Sequence, residues 1–385
     1  MNKIIFITTE PLYSKTTASA NRLQALAKGM FGNGYEIEIW GLIPSKFKKI
    51  VNNESTYINR SGIVTDIFFL KVIGFLWGTL NTCLRIVFLK KPCAIIVYQN
   101  QFFVLDFCLL FFSKLRKILF VMEFTEPLEF YYPSKLIYYF YRNCILKNVD
   151  AFYVISNGLK NDLKFFNKPI EIINMVIDLD RYKPKYTKEK KSVNYIGYCG
   201  SINQHKDGLL DLVEAFSLVA KRHRDVRLKL AGDGPLEFNE KLKNRILKLG
   251  ITDKVDFINY LNAEDVVEFT MSAAILVLAR PKSLQAQLGF PTKLGEYLAS
   301  GNPVVTTDTG EIKLFLENNL NAIIIEPGNI VELSNSISGI LDFPENYIRM
   351  GLAGNIIATE KFNNKIEGKK LINFVNKLLK NDKRK

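Results

Sequence analysis

Three short stretches in the second half of the 385-residue chain place residues that can handle an anionic ligand. The first is Tyr195-Ile196-Gly197-Tyr198-Cys199-Gly200-Ser201, followed by Lys206-Asp207-Gly208 at the opening of a helical pattern. Glycines let backbone N–H groups approach a ligand closely, and a helix start favours anions. A lysine there offers a point charge to a phosphate. A plain strand-to-helix turn would use the same residues. The second stretch, Ala231-Gly232-Asp233-Gly234-Pro235, reads first as a tight turn. The third runs from Gly289-Phe290-Pro291-Thr292-Lys293-Leu294-Gly295-Glu296 to Gly301-Asn302-Pro303. Pro291 suits a helix start and Gly301 a helix end. The amides around Thr292, Lys293 and Leu294 would then meet phosphate oxygens, with Glu296 one turn further in. A carboxylate so placed can accept hydrogen bonds from a vicinal diol such as a ribose.

These stretches sit at junctions of a repeated strand–helix alternation. Short β-branched runs at 4–8, 36–40, 94–98, 118–122 and 151–155 alternate with helical patterns such as 19–32 and 135–147. The alternation restarts with strands at 193–198, 227–231, 255–257, 275–278, 303–306 and 322–325. Helical patterns at 208–222, 237–249, 263–271, 292–300 and 330–341 separate them. Such alternation predicts parallel sheets covered on both faces. Between the two series lies a charged, Pro-containing stretch without apolar period, read as a linker over 181–192. The expected fold class is therefore α/β, with two doubly wound Rossmann-like domains facing across a cleft. Their bounds are 1–180 and 193–360, and a basic helix over 361–385 packs back across them.

Charge divides unevenly. Lys and Arg number 52 against 38 Asp and Glu, a net of +14. Residues 1–180 carry +7, residues 181–360 carry zero and residues 361–385 carry +7. No uncharged apolar run reaches about 18 residues, so no transmembrane helix is expected. The N-terminal apolar run is too short for a signal peptide. Five scattered cysteines with no Cys-x-x-Cys pair read as buried thiols in a reducing compartment. Two histidines make a His-rich zinc site improbable on composition. Two apolar, aromatic stretches, 68–77 and 107–112, lie in the basic first half. They fit either core helices or a face resting on anionic lipid. The tail likewise fits a packed terminal helix or a membrane-surface helix.

In order and spacing, the three stretches together resemble the retaining, GT-B-fold glycosyltransferases of family 4. Residues 149–157 and 174–178 resemble the segments that close that family's N-terminal domain. Residues 281–310 resemble the subset that assembles bacterial surface polysaccharides. The resemblance implies an N-terminal acceptor-binding domain and a C-terminal domain that binds a nucleoside diphosphate sugar. It implies that Lys206 neutralises the donor diphosphate, that Gly200 and Ser201 form the turn beside it, and that Glu296 holds the ribose as the second glutamate of a Glu-x7-Glu motif. The first glutamate would fall at position 288, which is Leu288, so Gln285 or Gln287 would substitute. An arginine often found between Ser201 and His205 is also missing, and Arg280 or Lys293 would supply the charge. No histidine matches the one common near the acceptor. Glu126, in the Glu123–Pro127 loop, would be a ligand to an acceptor hydroxyl or an ordinary loop charge. Asp178-Leu179-Asp180 spells a metal–diphosphate motif of another fold, but it lies at the domain boundary.

The expected activity is transfer of one sugar, with retention and without metal or other cofactor, to a hydroxyl acceptor on a lipid-linked saccharide. The expected setting is cytoplasmic, at the inner face of the membrane, with contact to anionic lipid and none to nucleic acid. A sugar-nucleotide epimerase of the same fold and a basic nucleic-acid binder are the competing classes.

Overall fold

A computed structural model of the chain describes residues 2–10, 12, 17–43, 48–51, 55–61, 68–88, 92–132, 134–182 and 195–381. The part of the expected linker at 183–192 lies outside them. The chain divides into two compact units, one of Met1–Val176 with Asn364–Lys385 and one of Ile177–Asn363.

The first unit is built on an eight-stranded sheet. Its strands are β1 (Asn2–Thr8), β2 (Tyr35–Gly41), β3 (Lys49–Val51), β4 (Thr56–Asn59), β5 (Ala94–Tyr98), β6 (Leu119–Phe124), β7 (Ala151–Val154) and β8 (Ile170–Ile172). They lie in the order β3-β4-β2-β1-β5-β6-β7-β8. All pairs are parallel except β3 with β4. Central strands such as β5 and β6 are buried along their length, which is why the sequence shows unbroken apolar runs there. The step from β1 to β2 runs one way along the sheet. The steps from β4 to β5 and from β5 through β8 run the other way. Right-handed crossovers therefore put helix Ala18–Met30 on one face and helices Phe68–Phe88 and Phe103–Leu115 on the other.

The terminal helix, Asn364–Asn381, belongs to the first unit and packs on helix Ala18–Met30. Leu371, Ile372, Phe374, Val375 and Leu378 join the core cluster under β1 and β2. Most of the apolar stripe legible in the tail is thus consumed by packing within this unit, while Ile366 stays exposed and Phe362 belongs to the second unit. The two helices touch backbone to backbone at glycines. A Cβ at Gly29 would stand 1.8 Å from the Asn364 carbonyl oxygen, and one at Gly368 would stand 2.4 Å from the Gly29 carbonyl carbon. Gly368→Leu is therefore expected to cost about 3 kcal/mol, read as a lowered urea midpoint.

Among the described residues, one helix meets the length and composition of a membrane span. Residues 69–88 pass that test, with 28% of the window buried. Its charges, Lys71 and Arg85, sit near its two ends, so a search for an uncharged run does not find it.

The second unit has a six-stranded parallel sheet. Its strands are β9 (Tyr195–Cys199), β10 (Arg227–Ala231), β11 (Val255–Ile258), β12 (Ile275–Leu278), β13 (Val304–Thr307) and β14 (Ile323–Ile325), in the order β11-β10-β9-β12-β13-β14. Every strand expected in this half is present to within a residue or two. Both units are doubly wound α/β, the expected class. The first unit ends at Val176 rather than 180, and Leu179–Tyr182 forms a short 3-10 turn of the second. Helix Pro344–Lys361 was not anticipated.

Candidate functional site

In the second sheet the chain leaves β9 toward β10 and β11, then returns to the other side of β9 as β12. The crevice beyond the carboxyl ends of β9 and β12 is the switch point, where open α/β sheets bind ligands. Both strands deliver charged residues there. After β9 the chain turns through Gly200 and Ser201 into a four-residue helix, Gln204–Asp207, capped by Asn203 Oδ1. Gly208 ends it in the left-handed region, at φ +66°, and a Cβ there would stand 1.9 Å from the Ala279 oxygen. A new helix, Leu209–Arg222, begins after it. Lys206 therefore rides on its own short turn, ahead of the long helix that the sequence suggested it would open.

The ends of β9 and β12 meet through side chains. Arg280, buried just beyond β12, donates from Nε to the Lys206 carbonyl at 3.2 Å. Thr307 at the end of β13 donates to the Arg280 carbonyl at 2.7 Å. Lys293, in helix Thr292–Ala299, forms a buried ion pair with Asp207 and lies 3.0 Å from the Tyr198 hydroxyl. The same hydroxyl is 2.9 Å from Asp207 Oδ2 and 2.5 Å from the Ser201 carbonyl. The Lys293 side chain crosses the face of Gly200, where a Cβ would stand 1.8 Å from its Cε. Any larger residue at 200 would push the lysine off its carboxylate.

Three cations thus surround one carboxylate. Burial alone would raise the pKa of Asp207, but Lys293, Arg280 and Lys206 outweigh it and hold the group below the usual carboxylate range. Lys293 shows the other side of the same crowding. Burial and repulsion from Lys206 and Arg280 exceed the attraction of Asp207 and lower its pKa. A cluster in this condition gains from a second anion, which would relieve the repulsion that one carboxylate leaves.

Glu296 lies three residues past Lys293 on the same helix and is partly exposed. It borders Cys199, whose thiol is pushed up to about 12 by burial first and by Glu296 second. It also borders Tyr182, whose hydroxyl is raised by burial and then by the same carboxylate. The next residue, Tyr297, is buried, and its hydroxyl lies 2.8 Å from the Cys199 amide and 3.2 Å from the Cys199 carbonyl. This clamp fixes the helix to the end of β9.

The structure brings Gly200, Ser201, Lys206, Arg280, Lys293 and Glu296 to one region. The remaining expected donor ligands divide. Leu294 is fully buried, and its amide is taken by the Pro291 carbonyl at 3.0 Å, so it contributes to the core. The expectation of its amide as a phosphate ligand is corrected by that bond. Thr292 is partly exposed at the helix start. Gln287 is exposed, with Oε1 accepting from the Gly310 amide at 3.4 Å. Position 288 is a partly buried leucine and presents no polar side chain. Asp178 accepts from the Asp180 amide in a local turn. Asp207, Tyr198 and Tyr297 were not singled out by sequence. The one available signal was the adjacency of Asp207 to Lys206.

Glu126 lies in the first unit, beyond β6. Gln99 ties its backbone on both sides, accepting from the Thr125 and Glu126 amides at 3.1 Å and donating to the Glu126 carbonyl at 3.0 Å. The switch point of that sheet is at β1 and β5, where Gln99 follows β5. Glu10, two residues after β1, accepts from Thr17 at 2.9 Å, and burial raises its pKa. Tyr131 senses Glu126, Glu10 and Glu123 together, after the burial that first raises it. Glu10 is thus a second acid at this end of the sheet, missed because a lone glutamate before Pro11 carries no pattern.

Comparison with known proteins bears on the second unit most directly. Residues 193–342 match the family model "Glycosyl transferases group 1". An uncharacterized glycosyltransferase of Haemophilus influenzae is 30% identical over 163 residues, which is 42% of either chain. The chain thus spans less than half the length of that curated relative. Among solved structures, sucrose-phosphate synthase from Thermosynechococcus elongatus aligns with TM-score 0.75 at 14% identity, over 99% of this chain and 100% of that one. The HepE protein of Anabaena, solved with UDP and glucose, aligns with TM-score 0.74 at 15% identity, over 98% and 100%. These likenesses establish the GT-B fold class of the chain.

Proposed function

We propose that this chain, whose residues 193–342 match the family model "Glycosyl transferases group 1", moves a sugar from a nucleoside diphosphate donor to an acceptor hydroxyl. The observation that carries the reading is the cluster of Lys206, Arg280 and Lys293 around Asp207 at the switch point, with Glu296 beside it. Its surplus positive potential suits a diphosphate. Glu296 is spaced to take a ribose diol while the cations hold the phosphates. HepE was solved with UDP and glucose, which makes a uridine diphosphate sugar the first donor to test.

The barrier to transfer is departure of the diphosphate from the anomeric carbon. Negative charge grows on its oxygens as that bond stretches. Lys206, partly exposed and on a turn of its own, is the cation placed to meet it, while Lys293 and Arg280 hold the surrounding potential. Stabilisation that grows along the reaction lowers the barrier. We read the leaving-group role usually given to a metal as taken by these cations, the configuration at the anomeric carbon as retained, and the acceptor as a lipid-linked saccharide of surface-polysaccharide synthesis. Glu126 and Glu10 are the candidate acceptor ligands. The setting on this reading is the cytoplasmic face of the membrane.

The test is a panel of nucleoside diphosphate sugars in thermal-shift format. A true donor at a hundredfold over its dissociation constant should add about 2.7 kcal/mol of stability. The donors that bind are then incubated with lipid-linked saccharides and products identified by mass spectrometry, with EDTA present and absent. No shift with any donor, and no product, would remove the proposal. Loss of turnover with EDTA would remove the metal-independent part alone.

A further inference from the structure

We propose that the outer side of helices Phe68–Phe88 and Phe103–Leu115 is a docking surface for an anionic lipid bilayer, on which the first unit lies with both helices in the plane of the interface. The inference does not depend on the transfer reaction.

The first of these helices has inverted amphipathicity, and the second is apolar on its outer side as well as its inner one. On the first, Phe69, Ile73, Leu76, Leu80 and Leu84 recur at helical spacing and are all exposed, with Trp77 beside them at 54%. The opposite side carries Gly74, Gly78 and Thr82, all buried. A Cβ at Gly78 would stand 3.1 Å from the Leu42 carbonyl oxygen and from the Ser61 backbone, so small residues are what let this helix approach the body of the unit. The second helix packs leucines inward and still presents large apolar residues outward. Val104, Phe107, Phe111 and Leu115 point outward, whereas Leu105, Asp106, Leu109, Leu110 and Ser113 are buried. A water-facing helix has its large apolar residues on the inner side. The two helices pack side by side, so their outward stripes adjoin. Helix Lys135–Phe140, on the next crossover of the same direction, also exposes Leu136, Ile137, Tyr139 and Phe140. Contiguous apolar surface on this scale marks an interaction site.

Charge selects the occupant. Segments 68–88, 103–115 and 135–146 contain Lys71, Arg85, Lys114, Lys135 and Arg142 against a single acid, Asp106, which is itself fully buried; of the five cations Lys114 pairs with Asp150, outside these segments, at 2.5 Å. The first unit as a whole holds 29 Lys and Arg against 14 Asp and Glu, a net of +15, while the second holds 23 against 24, a net of −1. A second copy would set this basic surface against itself. An anionic bilayer complements both the apolar stripes and the charge. An in-plane rather than spanning placement follows from the buried Gly74–Gly78–Thr82 side, which a span would have to pull away from the unit.

The chain's two tryptophans make the test direct. Trp40 is fully buried, so quenching by lipid reports Trp77. The full chain is mixed with phosphatidylglycerol-containing or pure phosphatidylcholine vesicles, some carrying brominated acyl chains. Expected are flotation with the anionic vesicles, at least tenfold weaker partitioning into neutral ones, weakening with added salt, and quenching by bromine near the headgroups. The variant Leu76→Asp/Leu80→Asp, altered only at exposed positions, should lose at least tenfold in partitioning with an unchanged urea midpoint. The proposal is overturned by absence of anionic-vesicle binding, by unimpaired binding of the variant, by resistance to carbonate extraction, or by a wild-type dimer that the variant converts to monomer. The last result would assign the face to a second copy.

Discussion

Lys206→Ala is expected to lower kcat/KM for sugar transfer by about 10²–10³-fold, with the unfolding midpoint unchanged. The lysine sits on a four-residue turn whose own hydrogen bonds come from Asn203, so removing its side chain leaves that turn intact. Lys293 cannot take over readily, because it is committed to Asp207 and crosses Gly200. Glu296→Gln separates a different contribution. A ribose contact is the same in ground and transition states, so its loss should raise the donor KM and leave kcat nearly unchanged. Initial rates at varied donor concentration distinguish the two patterns. Full activity of Lys206→Ala would shift stabilisation of the leaving diphosphate to Arg280 or Lys293.

The largest expected effect on stability is remote from that chemistry. Glu123→Ala should destabilise the first unit by about 3–5 kcal/mol. Arg22 and Glu123 are 1% and 0% exposed and pair at 2.8 Å. The guanidinium also donates to the Ile173 and Asn174 carbonyls at 2.8 and 2.5 Å, and Tyr153 donates to the other Glu123 oxygen at 2.5 Å. One arginine thus ties helix Ala18–Met30 to β6 and to the chain beyond β8. Deleting the carboxylate leaves a charge in the core without its direct partner, with Glu367 the remaining acid it senses. Arg22→Met/Glu123→Leu removes both charges and should lose much less, a difference readable in urea titrations of the three proteins. Equal losses in single and double variants would mean that the carbonyl contacts, and not the ion pair, carry the cost.

The strands of both sheets were legible because buried parallel strands leave continuous β-branched runs, as in Ala94–Tyr98 and Ile323–Ile325. β3, β4 and β8 were not, because Lys49–Val51, Thr56–Asn59 and Ile170–Ile172 are three or four residues long and incompletely buried. Helix Pro344–Lys361 escaped because its apolar residues fall all round it, with Leu352 and Ile356 exposed and Met350 and Ala358 buried. Within the site, Lys206 and Glu296 stood out by their place in strand–turn–helix junctions. The partnership of Asp207 with Lys293 spans 86 positions and depends on β9 lying beside β12, a neighbour relation that no local pattern encodes. Composition likewise marked residues 68–77 and 107–112 as apolar, but could not say which way they face. That direction is set by Gly78 and the crossover it packs against.

The chain closes its first unit with helix Asn364–Asn381. That helix supplies part of the core under β1 and β2, and Glu367 accepts from the Asn174 amide at 2.7 Å, 193 positions earlier. During synthesis, residues 1–176 leave the ribosome with that surface bare, and the whole second unit is made before the covering helix appears. The part translated first is therefore the part finished last. Throughout elongation the nascent chain exposes both the bare core face and the outward stripes of Phe68–Phe88, so truncation near residue 364 should yield a folded second unit attached to an aggregation-prone first one.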